Sequence, residues 1–425
     1  VPSDLAANRT NLTRSEWLLL ALLVTSIFIN YIDRSNLSLA APLLEAELKL
    51  TPSQLGSLLA SFFWTYALLQ LFGIAGWLAD RYPVGIVFAA GFVVWSAATA
   101  VSGLVSGFAA LFLMRLLLGA GESLAYPCYS KILATEFPQH HRGLANALLD
   151  AGSKLGPALG TLLGGLMISQ IGWRLFFVVL GIGGLFWLIP WFIWMPKRNG
   201  RTAVAPEDVP TLSAVLAERS AWGTFAGHFC GNYFWFFLLT WLPMYLVRER
   251  GFTLAGMATA GSVAYGAIAT ATVIAGWISD RRIAAGASPT RVRKTIVVGG
   301  LACSTIILPV AIIEDRTVST ALLMLACIAF GTYTSNHWAI TQTLAGPTAA
   351  GRWTSLQNGV GNLSGIAAPW LTGVAVERTG SFYLAFLIAA AVALIGAVMW
   401  GLVVGRVETV DWAHRRKWPA RAGAA

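Results

Sequence analysis

The sequence predicts an all-α membrane protein of twelve transmembrane helices arranged as two pseudo-symmetric six-helix bundles. Three observations carry that expectation. The chain of 425 residues is 56% hydrophobic and only 11% charged, which leaves too little polar surface to cover a soluble globule. Apolar runs of about 20 residues, the length that crosses a hydrocarbon core about 30 Å thick, recur from end to end. One loop motif occurs twice, as Gly76-Trp77-Leu78-Ala79-Asp80-Arg81 and as Gly276-Trp277-Ile278-Ser279-Asp280-Arg281, the mark of an internal duplication.

The first six runs are 17–41, 53–79, 84–106, 108–134, 143–170 and 173–195. The first is interrupted two thirds of the way along by Asn30-Tyr31-Ile32-Asp33-Arg34-Ser35-Asn36. Successive helical residues diverge by about 100°, so Asp33 and Arg34 must face different neighbours. The second run places Tyr66 and Gln70 on one face and closes on Asp80 and Arg81, which can latch a neighbouring helix end. No ionisable residue interrupts the third. On the fourth, Arg115, Gly119, Glu122 and Tyr126 form one polar stripe, with Arg115 and Glu122 about 10 Å apart along the axis and too distant for a tight pair. The fifth holds Asp150 and Lys154 at i, i+4, where they can neutralise one another, and the small-residue series Gly156, Gly160 and Gly164 that lets helices approach closely. Gly172-Trp173-Arg174 opens the sixth.

A polar stretch at 196–220 containing Pro196, Lys197, Arg198, Pro206 and Pro210 separates the N-terminal bundle, 1–195, from the C-terminal bundle, 221–405, and 406–425 forms a tail. The later runs are 221–247, 256–279, 293–313, 317–343, 353–376 and 382–405. His228 and Asn232 lie on the seventh, while the eighth closes on Asp280 and Arg281. The ninth contains Cys303, one of four cysteines with Cys128, Cys230 and Cys327, all in apolar runs and without metal-ligand spacing, hence small core residues. The tenth carries Ser335, Asn336, His337, Trp338, Thr341 and Gln342. The eleventh presents Asn358, Asn362, Gly365 and Pro369 on one stripe, and Gly380-Ser381-Phe382 opens the twelfth in a faint echo of the sixth.

A net charge of +10 invites a nucleic-acid reading, but the basic residues are scattered over the connections instead of forming one face. Of the 29 lysines and arginines, twenty fall on the side that holds both termini and six on the other, while Arg34, Arg115 and Lys154 lie inside spans. By the positive-inside bias the termini are cytoplasmic, and the expected location is a cell's inner membrane. The first run is long enough to span and shows no cleavage site of the signal-peptide type.

Charge inside hydrocarbon is expensive and marks function by default. Asp33, Arg34, Arg115, Glu122, Asp150 and Lys154 concentrate it in the first half. Three acids and three bases sum to zero, and protonating one carboxylate leaves +1, a state that gains far more from an anion than a neutral network does. That is a proton–anion symport in outline, with the proton as coupling ion and no other cofactor or metal expected. The second half offers amides, hydroxyls and an indole, groups suited to a polyhydroxylated ligand. Six plus six helices with cytoplasmic termini and a basic linker match a rocker-type secondary transporter, expected to act as a monomer in the bilayer. No Ser/His/Asp set, metal cluster or phosphate loop suggests an enzyme. Exchange or facilitated diffusion of an organic anion without proton coupling stays open beside symport.

At residues 30–36, 76–81, Arg115-x6-Glu122 and Asn358-Gly-x-Gly-Asn-x-x-Gly the chain resembles the anion:cation symporter branch of the major facilitator superfamily. That branch includes bacterial proton symporters for galactonate, glucarate and hexuronates, and the animal sialic acid and vesicular glutamate carriers. The resemblance implies that Asp33 and Glu122 take part in proton coupling, that Arg115 works with Glu122, and that Arg34 meets the substrate carboxylate. It implies further that Tyr31, Tyr66, Ser335, Trp338 and Asn358 line a sugar-acid pocket, joined here by Ser153, Lys154, His337 and Asn362. Two positions depart from the galactonate-type pattern: Ser153, followed by Lys154, stands where a glutamine is expected, and His337 replaces a smaller hydroxyl residue. Both changes favour a second acidic group or a larger acid sugar.

Overall fold

The computed structural model describes residues 12–137, 142–195 and 210–412. Within these the chain is helical throughout: α1 (Arg14–Leu48), α2 (Pro52–Leu71), α3 (Ile74–Arg81), α4 (Val84–Ser102), α5 (Phe108–Ser123), α6 (Ala125–Glu136), α7 (Arg142–Leu185) and α8 (Leu188–Trp194). After the short α9 (Leu212–Leu216) come α10 (Arg219–Arg248), α11 (Leu254–Ala284), α12 (Pro289–Ser304), α13 (Ile307–Ile312), α14 (Arg316–Thr379) and α15 (Tyr383–Val398). Most of the linker, residues 196–209, lies outside the described residues, as does the tail beyond 412.

Nine of these helical stretches are long and apolar enough to cross a membrane, and twelve spans follow from three details. The stretch 151–194 is two spans, because Gly172 turns with φ 76° and ψ 162° inside α7, left-handed backbone that glycine adopts without a Cβ clash. Gly346, at φ 62° and ψ 178°, divides α14 in the same way, leaving its second part to supply the eleventh span, 353–376. The broken pair α2 and α3, joined at Gly73 with φ 69°, supplies the second. Phe72, Val273 and Leu402 are each more than 70% exposed, apolar surface that suits lipid. Cys303 is exposed too, unlike buried Cys128, Cys230 and Cys327: it sits on the outer side of α12, so it is not the core residue the sequence suggested.

Local chemistry sets the ends. Thr13 and Glu16 cap α1 reciprocally, the Thr13 N–H donating to the Glu16 carboxylate at 2.6 Å and the Glu16 N–H to the Thr13 hydroxyl at 3.3 Å, and Thr51 with Gln54 repeats the device ahead of Pro52 at the start of α2. Each box satisfies helix-end donors that have no intrahelical partner.

Two compact units result. The first comprises residues 1–202 with 239–266 and 369–378. Its core is aromatic: Phe92 stacks on Trp187 at 4.4 Å and Trp187 on Trp191 at 5.0 Å. Glycines bring α7 onto α1, since a Cβ on Gly156 would stand 2.7 Å from the Tyr31 Cβ and one on Gly160 2.8 Å from the Ile32 side chain. Arg174 clamps one end, gripping Glu47 at 2.7 Å and the Val105 carbonyl at 2.8 Å. In the same unit Trp241 donates to the Pro369 carbonyl at 3.0 Å, Arg248 pairs with Glu45 at 3.2 Å, and the Ser53 N–H donates to Glu377 at 2.8 Å. Hydrogen bonds from the Ser53 hydroxyl and N–H hold the Glu377 carboxyl below the usual carboxylate range. The second unit comprises 203–238, 267–368 and 379–425. Phe234 stacks on Phe330 at 4.9 Å in its core, and Trp353 donates to the Thr224 hydroxyl at 2.8 Å.

Candidate functional site

Each unit contains a polar cluster inside its apolar helices. In the first unit the cluster is charged. Arg34 leaves α1 toward α5, where its Nε meets Glu122 Oε2 at 2.8 Å, and both side chains are buried. Three rings wall the guanidinium, with Tyr66 at 4.6 Å, Tyr31 at 4.7 Å and Phe62 at 5.2 Å from its central carbon. Such rings present a negative face to a cation. Asp33, one residue earlier, points instead at α4 and accepts a hydrogen bond from the Thr99 hydroxyl at 3.0 Å and a longer one from Asn36 at 3.4 Å. The divergence required by helical geometry is therefore present, and both directions end in protein.

Arg115 does not pair with Glu122. Its Nη1 donates to the backbone carbonyl of Asp33 at 3.4 Å, and Phe62 lies under it at 5.3 Å. Glu122, expected to work with Arg115, is thus the partner of Arg34. The polar stripe of α5 packs against α2 through Gly119, where any Cβ would overlap the Phe62 carbonyl, and the Thr65 hydroxyl donates to the Leu116 carbonyl at 2.7 Å. Among the described residues, Arg34 Nη2 and Arg115 Nε are buried without a hydrogen-bond partner. Unpaired buried donors are costly, so a carboxylate reaching Arg34 meets a donor that the protein itself leaves unused.

The span that carries Glu122 is broken beside it. Pro127 has no N–H to return to the Ser123 carbonyl, the Leu124 N–H falls back on Gly121 at 3.4 Å, and Gln70 from α2 donates to the released Ser123 carbonyl at 3.4 Å. Tyr126, just past the break, touches Tyr31 through their hydroxyls at 3.3 Å. Ser153 is buried and Lys154 half-buried on α7, whereas the side chain of Asp150 lies outside the described residues.

In the second unit the cluster is built on imidazoles, amides and hydroxyls. His337 Nδ1 is 3.0 Å from the Thr334 carbonyl, and its ring lies nearly parallel to that of His228 at 5.0 Å and 16°. Trp338 leans on both, at 4.8 Å from His228 and 5.0 Å from His337. Asn232 is 3.3 Å from His228 Nε2. The eleventh span fits against them at Gly361, where a Cβ would overlap the His228 ring. Asn362 caps the Asn358 carbonyl at 2.8 Å, and Asn358 and Trp338 keep partial exposure. Ser335 donates to the Thr332 carbonyl at 2.7 Å and receives Asn336, whose amide oxygen accepts from Ser279 at 2.8 Å. Gln357 accepts from Thr341 at 2.7 Å.

Arg81, Asp280 and Arg281 are exposed, with Arg281 over the Trp277 ring at 5.2 Å, and the side chain of Asp80 lies outside the described residues. Three participants escaped the sequence reading: Thr99, Phe62, and His228 as a stacked partner of His337. Thr99 was signalled by its place with Ser96 and Ser102 in an otherwise apolar span, and Phe62 by its i, i+4 spacing from Tyr66.

The Major Facilitator Superfamily profile matches residues 23–369. The D-galactonate transporter of Escherichia coli O6:H1 is 29% identical over 433 residues, covering 96% of this chain and 100% of that protein. The hexuronate transporter of Bacillus subtilis is 29% identical over 382 residues, covering 87% of this chain and 90% of its own. Among solved structures, a bacterial homolog of the human lysosomal transporter Spinster, in an inward-facing and unoccupied conformation, aligns with a TM-score of 0.79 over 96% of this chain and all of that one, at 19% identity. At that identity the likeness speaks for the fold.

Proposed function

Since this chain belongs to the Major Facilitator Superfamily, whose members are transporters and not enzymes, we propose that it carries a sugar acid of the hexonate, hexuronate or aldarate type across the membrane together with a proton. Galactonate and hexuronate transporters among its relatives support the substrate class. Proton coupling rests on one observation, the buried pair of Arg34 and Glu122 at 2.8 Å. While Glu122 is ionised it neutralises the guanidinium, and a cargo carboxylate arriving there meets a second anion. Protonating Glu122 removes that anion and leaves Arg34 a cation inside apolar surroundings, where attraction for a carboxylate is strongest. Proton and anion therefore each stabilise the state that accepts the other, the thermodynamic requirement for symport.

In this reading Arg34 binds the carboxylate, Tyr31 and Tyr66 hold the guanidinium in place, and Arg115 steadies Asp33, the second acid of the coupling set. Ser335, Trp338, Asn358 and Asn362 contribute hydrogen bonds and an apolar face. Alternating access, an inner-membrane location with both termini cytoplasmic, a monomeric state and the latch roles of Asp80, Arg81, Asp280 and Arg281 complete the proposal.

The test is uptake of D-galactonate and of a hexuronate into proteoliposomes, with and without an inward proton gradient. Wild type should accumulate one of them only with the gradient. Glu122→Gln, which mimics the protonated acid, should retain binding and counterflow exchange but lose accumulation. Gradient-driven accumulation at the wild-type level by Glu122→Gln would remove the coupling role from this carboxylate.

A further inference from the structure

We propose that Asn30 is the positioning residue for the Glu122 proton, its side-chain carbonyl accepting the hydrogen bond of the protonated carboxyl and so making that state tenable inside the bundle. The inference rests on the coupling role proposed above for Glu122 and deepens it.

Asn30 stands one turn before Arg34 on α1 and one turn after Ser26, so the three share a face. It is buried within reach of the Glu122 carboxylate but outside hydrogen-bond geometry: Asn30 Nδ2, Asn30 Oδ1 and Glu122 Oε1 are all without a partner. A buried amide with neither end used is costly. Its neighbours on the stripe do not relieve it. Ser26 spends its one hydrogen on the Leu23 carbonyl at 2.6 Å and accepts the Tyr129 hydroxyl at 2.9 Å, while Arg34 Nε is committed to Glu122.

The ion pair decides which oxygen takes the proton. Oε2 already accepts from Arg34 Nε at 2.8 Å, so the new O–H bond forms at the open Oε1, and Oε2 stays behind as the carbonyl end facing Arg34. A buried O–H then needs an acceptor. The unpartnered groups of the two arginines, Arg34 Nη2 and Arg115 Nε, only donate. Asn36 Oδ1 is unpartnered as well, but it lies two positions past Arg34, about 200° round the helix, where its amide donates to Asp33. The ionisable groups about Glu122 are Tyr31, Asp33 and Arg34 from α1, Tyr66 from α2, Arg115 from α5, and Tyr126 and Tyr129 from α6; α4 has none, and α7 carries Lys154, with the side chain of Asp150 outside the described residues. Of the phenols, Tyr31 and Tyr126 meet each other at 3.3 Å, Tyr129 donates to Ser26 and Tyr66 lies on Arg34. Asn30 Oδ1 is the open side-chain acceptor beside Oε1. In the ionised pair the amide makes no hydrogen bond to Glu122, so its removal costs the acid form alone.

Infrared titration of the purified protein reads the carboxylic acid directly, as the C=O band that wild type shows and Glu122→Gln lacks. No cargo is needed. In wild type the band should grow as pH falls and stand at the frequency of a hydrogen-bonded acid. Losing the acceptor weakens the acid relative to the carboxylate, so Asn30→Leu should move the titration midpoint about one pH unit lower, the tenfold change in proton affinity that one buried hydrogen bond supplies, and carry the band to the free-acid frequency. Asn30→Val is a second variant, and either one, folded, suffices. A wild-type band at the free-acid position, or an unmoved or raised midpoint in a folded variant, overturns the Asn30 inference while leaving coupling through Glu122 intact. Absence of any titrating band over the range in which wild type stays folded sinks that coupling role and this inference with it.

Discussion

The two units bury polar groups in opposite ways. In the first, an arginine and a glutamate face each other at 2.8 Å inside a ring of aromatic side chains; in the second, imidazoles, amides, hydroxyls and an indole form the cluster. Breaking one half of a buried pair strands the other charge, at a cost of about 3–5 kcal/mol, whereas deleting one neutral hydrogen bond costs about 1 kcal/mol. The first cluster is consequently close to all-or-none and suited to coupling, and the second can be altered by degrees and suits selection of cargo.

The sharpest way to break this contrast is at Arg34. Arg34→Lys keeps the charge but loses the planar fork that grips a carboxylate through two bonds, and substrate binding should fall by at least 100-fold, read by isothermal titration. Near-normal affinity would show that Arg34 is a structural partner of Glu122 and nothing more. In the second unit, Gly361→Ala drives a methyl into the His228 ring, and overpacking of this kind costs roughly 1–3 kcal/mol. Thermal unfolding in detergent should drop by several degrees, with the proton response unaltered in what remains folded.

Trp338→Ala and Asn358→Ala probe selection more gently. Each should weaken substrate binding about five- to thirty-fold, the equivalent of about 1–2 kcal/mol, while a proton-induced conformational change, followed by tryptophan fluorescence or spin-label distances, persists. Loss of the proton response in either variant would erase the proposed division between the units. The smallest effect is expected at Glu377, held below the usual carboxylate range by Ser53. A depressed carboxyl stabilises the fold above its unfolded-state pKa and stops doing so as pH falls through the lower folded-state value. Glu377→Gln should therefore lower the unfolding temperature slightly at pH 7 and match wild type at the acid end, below the carboxylate range.

Much of this was legible in the sequence, and the exceptions have physical reasons. Span lengths and the duplicated loop motif pointed to twelve helices, and the left-handed glycines that divide α7 and α14, Gly172 and Gly346, stand between predicted spans. The buried charges announced the first cluster because hydrocarbon tolerates them so poorly. Their pairing was not legible: axial distance excluded a tight contact of Arg115 with Glu122, yet only the packing of three helices brings Arg34 to the same carboxylate. The histidine stack was hidden for the same reason, since His228 and His337 lie 109 positions apart on helices whose facing sides no local pattern reveals. Pro127 did advertise the break beside Glu122, to a reader who asked where the Ser123 carbonyl finds its donor.

That break has a mechanical consequence. The second and fourth spans are both jointed, at Gly73 and at Leu124, and Gln70 stitches one joint to the other through Ser123. Past the joints, α3 and α6 are riveted together by Lys131, which donates to the Ala79 carbonyl at 2.6 Å. The two seams define a single hinge line. Every residue of the Arg34 cage, from α1, α2 and α5, lies on one side of it, and the riveted segment that ends in the loop motif lies on the other. A tilt of that segment would be absorbed at two backbone joints, and the cage around the guanidinium would keep its shape while the far end moved.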